Sequence, residues 1–106
     1  MNELVHTGSR TQIMASDMVM LEAEINYTRL FLDNGKNIVV SYHLGKLAES
    51  LAQHEFFVRS NQYTIVNLSF LTNYSFDNLI IKQIVVPISR RSRTKDIVVK
   101  RKEVFS

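Results

Sequence analysis

Arg59-Ser60-Asn61-Gln62, flanked by Phe56-Phe57-Val58 and Tyr63-Thr64-Ile65-Val66-Asn67, is the stretch best equipped for chemistry. All four polar side chains donate hydrogen bonds, and Ser, Asn and Gln also accept them. That suits recognition better than bond-making. Two other groups, Asn26 to Arg29 and Arg90 to Arg93, have the same character. Arginine grips phosphates and forks onto guanine O6 and N7, whereas Asn and Gln pair bidentately with adenine. The three groups lie far apart in sequence, so their convergence is not readable from order alone.

Catalysis finds less support. His6, His43 and His54 match no metal-ligand spacing and read as surface histidines. Glu22 and Glu24 alternate on a strand and point the same way, but no His or Lys is placed for acid–base work with them. Gly8, Gly35 and Gly45 are isolated, so neither phosphate-cradling nor dinucleotide glycine patterns occur. With no cysteine, thiolate nucleophiles, disulfides and Cys-ligated metals are excluded. No enzymatic activity, cofactor or metal is expected.

The 106 residues suffice for one domain with a modest core. No apolar run approaches the ~20 residues of a membrane span. Glu3 comes early and no apolar signal segment follows it, so the expectation is a protein of the reducing cytoplasm. The net charge of +3 is unevenly spread. Residues 1–89 hold six Lys and Arg against eight Asp and Glu, a net of −2, while residues 90–106 hold seven against two, a net of +5. A basic cluster at one end is the footprint of a polyanion partner.

The elements that must position these groups are mostly short strands. Residues 1–10 show no periodicity and read as a linker or frayed N-terminus. Thr11 to Met14 and Met18 to Glu24 read as strands around a turn at Ala15-Ser16-Asp17. Thr28 to Leu32 and Asn37 to Val40 flank Asn34-Gly35, residues that tolerate positive φ, and predict a β-hairpin. Leu44, Leu47, Ala48 and Leu51 form one apolar face of a helix over about 42–53, with Ser41 as its cap. The stretch 59–62 should be a polar loop held by apolar residues on both sides, with Thr64 to Val66 a β-branched strand. Leu68 to Tyr74 and Leu79 to Lys82 predict a second hairpin, and Pro87 should end or edge the strand of Ile84 to Val86. Ser89 could cap a final helix. The fold class is mainly β.

Phe57, Arg59 and Val66-Asn67 resemble the central motif of the LytTR family of bacterial DNA-binding domains. Leu21-Glu22-Ala23, Asn26-Tyr27-Thr28, the segment Leu44 to Leu51, and Pro87-Ile88-Ser89-Arg90-Arg91 match in the same order, over residues 16–95. The family usually has His at Asn61, Arg at Gln62 and Ser at Tyr63, so the half that reads DNA is altered here. The resemblance implies an elongated fold of small antiparallel sheets over residues 11–106, with one amphipathic helix. It also implies that loops enter successive major grooves of double-stranded DNA. By position, Thr28, Gln62 and Arg90 fall at base-contacting places, and Arg29, Arg59, Tyr63 and Arg93 at or near phosphate-contacting ones. Asn61 and Arg91 complete the expected site. The implied role is transcription regulation downstream of a receiver domain or sensor kinase, with pairing on tandem half-sites. The alternatives are a protein-interaction module whose basic tail grips an acidic partner, and non-specific nucleic-acid binding through that tail.

Overall fold

The computed structural model describes residues 3–8, 10–89 and 97. Among the described residues, ten strands form three antiparallel sheets, with one α-helix of eight residues beside them. The largest has the order β5-β4-β3-β7-β6, built from β3 (Met18–Glu24), β4 (Tyr27–Leu32), β5 (Asn37–Val40), β6 (Phe57–Asn61) and β7 (Thr64–Asn67). A three-stranded sheet runs β10-β9-β8, from β8 (Leu71–Tyr74), β9 (Asn78–Ile81) and β10 (Ile84–Pro87). β1 (Leu4–Gly8) and β2 (Thr11–Met14) make a separate hairpin.

The large sheet is covered on both faces, so its inner strands are apolar on both. Leu21 and Ile65 turn to a core shared with Leu44, Leu47 and Leu51 of helix α1 (Leu44–Leu51) and with Val5. Their neighbours Met20 and Val66 turn to a second core with Leu68, Leu79, Ile81 and Val86. That is the two-residue period of a strand. A register shift between Met18 and Met20 interrupts it, letting the consecutive Val19 and Met20 serve the same core. Asn67, fully buried, is satisfied: Nδ2 donates to the Met18 carbonyl at 2.9 Å, and Oδ1 accepts from Ser69 N. It thereby caps the short 3-10 turn Leu68–Phe70.

Several expectations need correction, among them His54, which is buried just past the end of the helix and not on the surface. Leu4–Gly8 is a paired strand, not a linker: Val5 and Thr7 face inward and His6 outward, a pattern hidden because Thr7 is polar. Gly8 has φ +109, and a Cβ there would collide with the Ser41 hydroxyl, so the hairpin docks closely on the segment before α1. The helix is shorter than expected, with extended His43 at its N-cap position and Ser41 two residues too early. The stretch 59–62 is mostly strand: β6 runs through Asn61, and only Gln62-Tyr63 turn. The hairpin on Asn34-Gly35 and the position of Pro87 at the end of an edge strand follow expectation. Of the expected C-terminal helix only Ile97 is described; it is helical and buried in the second core.

Leu47 is fully buried where α1 meets the large sheet. Leu47→Ala should lower unfolding free energy by about 2–5 kcal/mol in urea titration. An unchanged midpoint would contradict this packing.

Candidate nucleic-acid interface

Strand register sorts the turns between two ends of the molecule. Glu24 pairs with Tyr27 and Glu22 with Thr64, so the turns Ile25-Asn26 and Gln62-Tyr63 emerge side by side. Ala23 N donates to the Tyr63 carbonyl at 2.8 Å and ties them together. Asn26, with φ 67, makes the left-handed step of its turn, a conformation Asn tolerates better than most residues. Pro87 pairs with Asn78 and adjoins β6, bringing the turn 75–77 and the chain at Ser89 to the same end. The turns 33–36 and 82–83 lie at the other end, joined by the ion pair Lys82 Nζ–Asp33 Oδ1 at 3.0 Å.

The Gln62-Tyr63 turn is held from several directions. A bulge at Ser60 turns its side chain inward, where it is fully buried and Oγ donates to the Pro87 carbonyl at 2.7 Å. Asn61 Nδ2 donates to the same oxygen at 2.7 Å, while Asn61 Oδ1 accepts from Tyr63 N at 2.8 Å. Ser89 N completes the link by donating to the Ser60 carbonyl at 2.9 Å. One proline carbonyl thus takes two donors, matching its two lone pairs. The Gln62 amide makes no hydrogen bond among the described residues, and the Tyr63 side chain is 59% exposed. Both remain available to a ligand.

Other expected contacts have different duties. Thr28 is fully buried, and its hydroxyl donates to the Tyr42 carbonyl at 2.7 Å. Enclosed in that way, Thr28 supports the sheet behind the turn. Arg29 forms an ion pair with Glu24 and donates to Asn37 Oδ1 at 2.6 Å. The hydrogen bond it donates to Glu24 raises its pKa above the ordinary arginine value, desolvation opposes that, and Coulomb attraction to Glu24 and Glu22 adds to it. Arg59 donates to the carbonyls of Asn61 (3.3 Å) and Gln62 (2.7 Å), so it shapes the turn it precedes. Arg90, Arg91 and Arg93 lie outside the described residues.

Sequence reasoning missed Ser60 and the Pro87 carbonyl as the junction, and missed the 75–77 turn as a neighbour of the site. Backbone acceptors carry no residue-type signal. The bulge that buries Ser60 depends on β6–β7 pairing, which no local pattern encodes.

A model of the LytTr DNA-binding domain matches residues 8–96. Among solved structures, the chain is similar to one described as the LytTr DNA-binding domain of a methyl-accepting/DNA response regulator from Bacillus cereus. That match has a TM-score of 0.64 and 19% identity, covering 99% of this chain and 97% of the other. At that identity the likeness shows the fold. No curated protein sequence matches.

The bracing of the turn is testable without DNA. Asn61→Ala removes two hydrogen bonds and should cost about 1–3 kcal/mol of stability in urea. Wild-type stability would mean that the turn does not depend on Asn61.

Proposed function

The chain belongs to the LytTr DNA-binding domain family, and from that membership we propose that it regulates transcription by reading double-stranded DNA sequence-specifically through the braced end. DNA binding and a regulatory role follow from the family in general, which is one of DNA-binding domains and not of enzymes. The finer reading is supported chiefly by the convergence of the 25–26 turn, the 62–63 turn and Ser89 at one end.

In this reading Gln62 is the base reader of the turn. Its amide offers a donor and an acceptor to one adenine, from a backbone already fixed by Asn61 and Arg59. Fixing the loop before binding lowers the ordering cost of association. Asn61, committed to Pro87 and Tyr63 N, positions Gln62, and Tyr63 reaches a phosphate or sugar. Arg90 follows Ser89, which is held to Ser60, and serves as the second reader, forking onto guanine in the neighbouring major groove. Arg91 and Arg93 grip phosphates, and residues 90–106 supply the positive charge that residues 1–89 lack. Arg29 and Arg59 act mainly within the fold, although both leave surface that a phosphate can approach.

Residues 11–106 form the binding domain, and the Leu4–Gly8 strand belongs with them structurally. No helix among the described residues is long and apolar enough to cross a membrane. The protein acts in the cytoplasm, under a receiver domain or sensor kinase, and pairs on tandem half-sites.

Binding to a panel of single-base variants tests the reading. Gln62→Ala and Arg90→Ala should each lose about 1–3 kcal/mol on the preferred site and much less on scrambled duplex, at two positions about one helical turn apart. Arg93→Gln should weaken all sequences alike and flatten the salt dependence by about one unit of slope. If Gln62→Ala and Arg90→Ala weaken every variant equally, they are anchors and sequence is read elsewhere.

A further inference from the structure

Phe76 is the most exposed large apolar side chain among the described residues, at 94%. Exposed apolar residues are ordinary on a protein surface. This one occupies a turn whose backbone is unusually well tied. Ser75 N donates to the Asn78 carbonyl at 2.9 Å, and the Asp77 carboxylate accepts from Ser75 Oγ (3.3 Å) and Asn78 Nδ2 (2.9 Å). The Asp77 carbonyl accepts from Ile88 N at 2.9 Å, and the next amide, Ser89 N, donates to Ser60. Two consecutive amides therefore join the Phe76 turn to the strand that presents Gln62. The ring is carried at the braced end, beside the turn that holds the polar readers.

Of the groups on base edges in the major groove, the thymine C5-methyl is the apolar one, and an aromatic ring is a suitable partner for it. We propose that Phe76 packs on a thymine C5-methyl next to the bases read by Gln62, and so is a specificity-determining residue. This rests on the braced end being the DNA-facing surface. A polar reader tells adenine from guanine by hydrogen bonds, and Phe76 adds recognition of a methyl group that hydrogen bonding cannot detect. Neighbouring Tyr74, 50% accessible, ends the strand that leads into this turn and has a hydroxyl suited to the sugar-phosphate instead.

Replacing thymines of the preferred duplex one at a time by deoxyuridine removes only the methyl and isolates this contact. The full chain should bind about fourfold more weakly at one position, the worth of roughly 0.8 kcal/mol for burying one methyl-sized group. Phe76→Ala should bind the parent duplex more weakly by at least that factor and no longer distinguish thymine from deoxyuridine there. Leu4→Ala, an exposed apolar site lining the cavity beside Asp33 and Asn34 at the other end, should keep the discrimination. Wild-type indifference to every replacement overturns the proposal, as does a Phe76→Ala protein that still discriminates. A Phe76→Ala protein that binds a single half-site normally but loses cooperativity on tandem sites would place the ring against a second copy, also overturning it. Failure of the wild-type chain to bind any duplex would instead overturn the underlying reading of the braced end.

Discussion

The carbonyl oxygen of Pro87 is where the two larger sheets meet at the braced end. It accepts from the buried Ser60 hydroxyl and from Asn61 Nδ2, both at 2.7 Å. Proline contributes no N–H, so β10 ends there as an edge strand whose last carbonyl is left for another partner. Ser60, enclosed by the bulge, would lose its hydration without that acceptor, and an unpaired buried hydroxyl is costly. Satisfying it adds a directional tie to the apolar packing of the second core, which also joins the three-stranded sheet to the large one. The link at the opposite end is of another kind: the Lys82–Asp33 pair is about half exposed, and such pairs contribute little. The molecule is firmly joined where the turns converge and loosely joined where they do not.

That asymmetry divides recognition from attraction. The braced turns present largely neutral side chains, while Arg29 and Arg59 spend hydrogen bonds on Glu24, Asn37 and local carbonyls. Their charge remains, but their donors are partly committed, so they contribute less direction to a ligand than free arginines would. The +5 of residues 90–106 is separate in sequence from these turns. In the proposed reading, long-range attraction by the charge of residues 90–106 and base discrimination by the braced turns can be altered independently.

Much of the fold was legible because its signals are local. The Leu44, Leu47, Leu51 spacing marked α1, Asn34-Gly35 marked a hairpin, and Pro87 marked a strand end. The N-terminal strand was not legible, since its inward face combines Val5 with a threonine. The candidate site was legible only in part. Tyr63 is exposed and the Gln62 side chain makes no hydrogen bond among the described residues, whereas Thr28, expected at a base, is buried in the fold. Residue type announces what a side chain can bind, but burial decides whether anything can approach it. Thr28 and Ser60 are tied to carbonyls 14 and 27 residues away along the chain, contacts that composition and period do not encode.

The central claim is that one end of the molecule, and not the other, faces DNA. Backbone amide exchange measured residue by residue, with and without a saturating duplex, tests it directly. The account predicts slowed exchange at 25–27, 61–63, 75–77 and 88–89, with turns 33–36 and 82–83 unchanged. Protection concentrated at 33–36 and 82–83, with the braced end unaffected, would contradict it.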